Sequence, residues 1–268
     1  MEFATETITL FDFAVSCLGR VQLAREFKND FAKHQLQLSI LQVRLTRWGE
    51  VAGIGRTKEE GTKLPDKPTI DLGKSVLDLF EAIRDLFEAA EEKASEVESK
   101  TTLPKDSLAD EPLDPETNMP NRLKRIHNSL LKWVDRRMTH INRAAVKTQW
   151  AFYKKDLFQK FVTDLADLMD QLEKLFPEDT RQQLGSLSKE ECAEMSKINL
   201  ETLKEYVDDC DPWFISAVDE KLQNGPAAGT NITQSHNVGQ TTGIHNGDVN
   251  GVSNGNGNTT TNYWGRKK

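Results

Sequence analysis

Five histidines (His34, His127, His140, His236 and His245) and three cysteines (Cys17, Cys192 and Cys210) are the residues best suited to metal or nucleophilic chemistry. Their spacing suits neither, because the histidines show no metal-ligand pattern and no CxxC pair occurs. A GxSxG elbow, a glycine-rich phosphate loop ending in Lys-Ser/Thr, an HExxH pair and an acidic calcium loop are also missing. The sequence therefore predicts no enzyme, no cofactor and no metal site. The three widely separated thiols are expected to be reduced and buried in an intracellular protein. Residues 1–6 carry acids where a secretory leader needs a basic region, so the two sequons at Asn231 and Asn258 are expected to stay unmodified.

The chemistry that the residues do offer is self-assembly. From Asn224 to Gly265 the chain is rich in Asn, Gly and Thr, with Asp248 its one acid. Branched apolar residues recur about every six positions, at Ile232, Val238, Ile244 and Val249, with Val252, Tyr263 and Trp264 beyond them. Such a segment buries too little to fold alone, and composition by itself favours a disordered tail. The spacing suits the alternative, copies of the tail paired so that Asn side chains stack in ladders around a shared branched interior.

Charge excludes another class of partner. The net charge is −7 over 268 residues, and the last 45 hold Asp248 against Arg266, Lys267 and Lys268, so the first 223 carry −9. An acidic domain repels phosphate backbones, and no nucleic-acid partner is expected. The clusters Arg122, Lys124, Arg125 and Arg136-Arg137 are expected on solvated helix faces, with anionic lipid headgroups as their alternative contact. No apolar run reaches eighteen residues, but residues 8–18 are apolar apart from Thr9, Asp12 and Ser16. That length suits a docked helix better than a span.

The elements that must hold these segments are helical. Phe27, Phe31, His34, Leu38, Leu41, Leu45, Trp48 and Ala52 form one stripe of a long helix that stops at Gly53, and His34 is expected as a satisfied buried histidine. A second helix is expected from about residue 69 or 71 to 98, then a proline-rich loop over 104–120. Helical signals run from Asn121 to Phe176, with a break expected near 140–144, Trp150 and Tyr153 on the second stripe, and Pro177 ending it. Ser188 with Glu191 suggests a capping box, and Asp211-Pro212 suggests another helix start. The fold class is all-α, a multi-helix bundle over 1–222, with no strand expected before the tail over 223–268.

Three stretches carry a resemblance. Val21-Gln22-Leu23-Ala24-Arg25, Gln35-Leu36-Gln37-Leu38 and Arg44-Leu45-Thr46-Arg47-Trp48-Gly49-Glu50 resemble the opening of the fungal HET-s/LopB, or HeLo, domain. The likeness continues in Arg136-Arg137, in Lys147-Thr148-Gln149-Trp150-Ala151-Phe152-Tyr153 and in Leu172-Glu173-Lys174-Leu175-Phe176-Pro177. It covers roughly residues 8–222, and the order of the motifs makes it specific.

The resemblance implies a HeLo helical bundle acting in fungal programmed cell death and heterokaryon incompatibility. In that family a C-terminal prion motif is templated by a matching motif, often on a NOD-like receptor, and the helical domain then exposes an N-terminal helix and damages membranes. Carried over, the membrane-targeting helix is Ile8, Leu10, Phe11, Phe13, Ala14, Val15 and Leu18. The amyloid motif is Ile232, Val238, Ile244, Val249, Val252, Tyr263 and Trp264, closest to the Asn/Gly/Thr-rich sigma class. The partners implied are the chain itself through amyloid assembly, with a domain dimer as an option, a NOD-like receptor or related prion-motif protein, and membrane lipid after activation. The protein would wait in the cytoplasm and move to the plasma membrane. The N-terminal segment departs from the family in being short and in carrying Asp12, which at mid-bilayer costs about 2.5–3.5 kcal/mol. The alternative function is a non-toxic prion-like interaction module or adaptor that partners related HeLo proteins or a NOD-like receptor. Beside this resemblance the six-residue spacing of the tail favours a templated β-fold over disorder.

Overall fold

A computed structural model of the chain describes residues 2–54, 73–100, 112–138, 150–207, 210–223, 252–253 and 259–260. By contact the chain divides into two compact units, Met1–Gly225 and Pro226–Lys268. The first unit holds nine helices among its described residues: α1 (Glu2–Leu18), α2 (Phe31–Ala52), α3 (Lys74–Lys100), α4 (Pro115–Asn118), α5 (Asn121–Arg137), α6 (Lys155–Lys174), α7 (Glu178–Ala193), α8 (Lys197–Val207) and α9 (Pro212–Gln223). Two short strands join them, β1 (Val21–Leu23) and β2 (Trp150–Phe152). In the second unit β3 (Val252–Ser253) and β4 (Thr259–Thr260) pair antiparallel, Val252 opposite Thr260.

The centre of the first unit is α2. Its sequence shows one apolar stripe, yet eighteen of its 22 residues are buried, because α1, α5, α6, α7 and α8 all pack around it. A helix enclosed on every side must satisfy its polar side chains from within. Thr46 Oγ1 donates back to Gln42 O at 3.0 Å, Gln42 Nε2 donates to Val15 O at 3.1 Å, and Ser39 Oγ lies 2.7 Å from His127 Nδ1. The helix ends at Gly53, whose φ of 80° is left-handed; its N–H reaches Glu50 O at 3.1 Å and the Ile54 N–H reaches Gly49 O at 2.9 Å. Those two bonds close the last turn and give the carbonyls partners they would otherwise lack.

Three local expectations are corrected. Strands do occur before the tail: β1 and β2 pair parallel, with Val21 opposite Trp150 and Leu23 opposite Phe152. Trp150 is therefore a strand residue and Tyr153 precedes α6, so neither lies on a helical stripe. Three-residue strands are too short to show alternation, and β2 is buried throughout, so its aromatic run mimics a helix start. The break expected at 140–144 lies outside the described residues, although α5 ends before it, at Arg137. Ser188 is no cap either. It sits inside α7, where its hydroxyl donates to Leu184 O at 2.9 Å. The Asp211 start is as expected, since the Phe214 N–H donates to Asp211 Oδ1 at 3.0 Å. Within the loop expected over 104–120, Asp114 caps the single turn of α4, accepting from the Glu116 N–H at 3.0 Å.

The close approach of α1 to α2 has a sequence requirement. A Cβ at Gly49 would lie 2.3 Å from Phe11 Cζ, and Phe11 is fully buried against Trp48 and Phe80 at ring distances of 6.3 and 6.0 Å. Gly→Ala inside a helix ordinarily gains about 1 kcal/mol, whereas forcing a methyl into a filled core costs about 1–3 kcal/mol. Gly49→Ala is therefore expected to lower the urea midpoint, by a net loss of up to about 2 kcal/mol. A raised midpoint would show that Phe11 yields freely.

Candidate functional site

Two features could make this domain a switch: a buried N-terminal helix, and the charges that fix the last helix before the tail. In α1, Leu10, Phe11, Ala14, Val15 and Leu18 are buried, while Ile8 and Phe13 are partly buried against the same core. The helix packs on α3 and α2, and the Phe13 ring meets Phe87 edge-on at 6.2 Å. All seven residues expected in a membrane-targeting helix thus belong to one helix that the folded domain covers. Seventeen residues span about 25 Å at 1.5 Å each, against roughly 30 Å of bilayer core. Among the described residues no helix is long and apolar enough to cross a membrane.

The second feature is a chain of buried ions that starts from α2. Arg44 grips Glu173 of α6 with two bonds, Nε to Oε1 at 2.8 Å and Nη2 to Oε2 at 2.9 Å, and also reaches Asp170 and the carbonyl of Cys210. One turn on, Arg47 makes two such grips. It donates to Glu191 of α7 at 3.0 and 2.6 Å, and to Asp211, the cap of α9, at 3.1 and 2.8 Å. Arg137 of α5 closes the set: its Nε donates to Glu50 at 2.7 Å, and its Nη1 lies 2.7 Å from Glu191 as a charge contact without hydrogen-bond geometry. Trp213 Nε1 donates to Glu173 at 3.1 Å. Arg47, Glu191 and Asp211 are wholly without solvent contact.

Burial alone would lower the pKa of both Arg44 and Arg47. The adjacent carboxylates outweigh it, Glu173 beside Arg44 and Asp211 with Glu191 beside Arg47, so both guanidinium groups are held more firmly protonated than usual. Planar guanidinium groups facing carboxylates two bonds at a time give the geometry in which buried pairs recover their desolvation cost. Arg47 thereby ties α9, the last helix before the tail, to the central helix. The next residues on α2 face elsewhere: Trp48 and Gly49 meet Phe11 of α1.

The remaining candidates separate. Of the expected amyloid residues, Val252 lies in β3; Ile232, Val238, Ile244, Val249, Tyr263 and Trp264 lie outside the described residues. Arg137 is buried rather than solvated, a correction that follows from its two carboxylate partners. Arg136 stays on the surface, as do Arg122 and Arg125. His34 is buried with Nδ1 2.9 Å from Asp30 O, and burial lowers the pKa of His34 and of His127. All three thiols are buried and outside any disulfide. Burial pushes Cys17 up to about 11 and Cys192 up to about 12, so both are protonated and unreactive at neutral pH. No group of three or more potential ligands that could hold a metal occurs among the described residues.

The ion network was not foreseen as a structure from the sequence. Arg44, Arg47, Glu50, Arg137 and Glu173 lie within the stretches that resemble HeLo while Asp170, Glu191 and Asp211 do not, and Gln42, Arg44, Thr46 and Arg47 look like polar helix positions when burial is inferred from periodicity. Two arginines one turn apart beside an apolar stripe were the available signal.

Comparison with known proteins follows the fold. Residues 4–205 match the HeLo family, described as prion-inhibition and propagation. Over 168 residues, 63% of this chain, the sequence is 31% identical to heterokaryon incompatibility protein S of Podospora anserina strain S. It is 30% identical over the same length to heterokaryon incompatibility protein s of Podospora anserina. The matched part is 55% of each relative's length, so the likeness spans about half of those proteins. Among solved structures, the HET-S N-terminal domain superposes with a TM-score of 0.68 at 28% identity, covering 81% of this chain and 93% of that one. A doubly substituted HET-s N-terminal domain gives 0.69 at 28% identity, covering 81% and 98%.

Removing Asp211 separates its two jobs. Asp211→Ala strips both the cap and one partner of a buried arginine and is expected to cost about 3–5 kcal/mol in denaturant unfolding. Asp211→Asn keeps an oxygen for the Phe214 N–H and removes only the charge, so it should cost less. Equal losses would show that the cap adds nothing to the ion pair.

Proposed function

Because this chain belongs to the HeLo family, we propose that it is an effector of fungal programmed cell death and heterokaryon incompatibility whose tail is an amyloid switch. The incompatibility role is supported by the two relatives named heterokaryon incompatibility proteins. In the resting state the domain buries α1 and the protein stays on the cytoplasmic side without inserting into the membrane. A matching motif, on a NOD-like receptor or a related prion-motif protein, templates the tail into a β-assembly. Growth of that assembly next to residue 223 pulls on α9, weakens the Asp211–Arg47 anchor and loosens the turn of α2 that holds Phe11. The released α1 then meets the plasma membrane and permeabilises it.

The observation that carries this reading is the position of three consecutive residues. Arg47 holds the helix next to the tail, while Trp48 and Gly49 hold the N-terminal helix. One turn of α2 is thus shared by the trigger end and the effector end, a bistable arrangement that assembly can bias.

A second reading rests on α1 itself. Its 17 residues are few for a span, and half-buried Asp12 lies in its middle. These features favour a non-toxic prion-like adaptor that partners related HeLo proteins through the tail. Dye-loaded vesicles separate the two. With the full chain, fibres of a peptide covering residues 231–265 are expected to seed assembly and release dye, and neither component alone should do so. Seeded assembly without dye release would leave the adaptor reading standing and end the executor reading.

A further inference from the structure

The surface of α5 is unlike the rest of the domain. Six cations, Arg122, Lys124, Arg125, Lys132, Arg136 and Arg137, stand on this one helix against the single acid Asp135, in a domain that is otherwise strongly acidic. Arg137 turns into the core and Lys124 pairs with Glu116 of α4. The exposed remainder is ordered along one line. At about 100° per residue, Arg125, Lys132 and Arg136 fall within roughly 40° of each other, with Arg122 about 40° beyond Arg136 and the buried Ile126, Leu130 and Val134 roughly 100–180° round from Arg125. From Arg122 to Arg136 the line is about 21 Å long.

Little on the surface competes for these charges. Arg122 donates to the Ile198 carbonyl and Thr202 hydroxyl, neither of them charged. Arg125 donates to Asn121 O at 3.3 Å. Arg136 meets Glu194 at 2.7 Å, but both are about half exposed, and such pairs hold weakly in water. The Trp133 ring lies beside the line, half-buried, with the Arg136 guanidinium 4.7 Å from its centre. A basic line with an amphipathic ring at its margin is the composition that anionic headgroups select.

The half-buried Trp133 ring favours a lipid surface over a soluble anion, since an indole suits the headgroup level, where one end is apolar and the other wet. A cleft of about 180 Å³ is walled on one side by Leu131, Val134 and Met138, at the α5 end, and on the other by Val15, Ser16 and Gly19, at the end of α1. That cleft opens on the other flank of α5, so the basic line and the end of α1 share this helix but not a face. We propose that the Arg122–Arg125–Lys132–Arg136 line of α5 is a docking surface for anionic phospholipid, which brings the closed domain to the membrane before α1 is released. This rests on the executor reading, and it assigns the membrane contact to a different element from the one that perforates.

The test is sedimentation of the full chain with vesicles of phosphatidylcholine containing 30% phosphatidylserine, against phosphatidylcholine alone. Unseeded protein is expected to bind only the anionic vesicles and to leave them at high salt. Each basic residue near such a surface is worth about fivefold in partitioning, so Arg125→Gln with Lys132→Gln should weaken binding roughly 25-fold without changing the melting temperature. Lys154→Gln with Lys160→Gln, exposed cations of the α6 region, should leave binding unchanged. Equal binding by wild type and the α5 double variant would overturn the proposal, as would equal binding to neutral vesicles. Binding to heparin beads but not to anionic vesicles would overturn it too, by assigning the line to a soluble polyanion. Docking without seeded leakage would preserve this surface and refute the executor reading; seeded leakage that ignores both lipid charge and the α5 variant would do the reverse.

Discussion

A fully buried arginine on the central helix is the constraint around which the domain is arranged. Arg47 has no solvent contact, and it lies where α7, α9 and α2 meet. An ion in that position is tolerable only if its carboxylates are held in place, so Glu191 and Asp211 fix the approach of two helices to a third. Arg44 and Arg137 repeat the device for α6 and α5. Apolar packing alone would let these helices slide; the paired geometry defines where each must stop. Such a network adds less to stability than its number of bonds suggests, and losing one partner costs far more than the pair contributes. That asymmetry suits the proposed switch, which needs an anchor that holds firmly and fails abruptly.

The N-terminal helix depends on the same segment. Phe11, Leu10, Val15 and Leu18 are buried side chains, each worth about 1.5–3 kcal/mol of burial, which together is comparable to the whole stability of a typical domain. Thermal motion will not free α1 while its surroundings are intact. Release requires that α2, α3 or the aromatic contacts among Phe11, Trp48, Phe80 and Phe176 be loosened first. One path from α9 to that cluster crosses the noncovalent Asp211–Arg47 pair and continues along α2 to Trp48. The three thiols, His34 and His127 are buried and take part in the packing of the domain.

Much of the helical order was legible in the sequence, because apolar periodicity reports a helix with one buried face. It was legible in α3, α5 and α6, and the starts at Asp211 and the stop at Gly53 follow from local chemistry. It failed where burial is two-sided. The polar residues of α2 look like a wet face, which hides the arginine network, and Arg137 at the end of α5 reads as solvated because its partners Glu50 and Glu191 are distant in sequence. Ser188 and Glu191 matched a capping box by spacing, but Glu191 is spent on Arg47 and Arg137, a tertiary demand that no local pattern reveals. The two three-residue strands were invisible for the simpler reason that they are too short to alternate. The N-terminal helix was found as an apolar segment; that it is docked by a glycine and an aromatic ring at α2 was not.

Hydrogen–deuterium exchange on the full chain, before and after seeding with fibres of the tail peptide, tests the coupling of tail to N-terminal helix most directly. If assembly acts through the Arg47 anchor, amides of α9 and α1 should lose protection together as fibres grow, while α6 stays protected longer. Fibre growth that leaves α1 as protected as in the resting protein would contradict the mechanism, whatever the tail itself becomes.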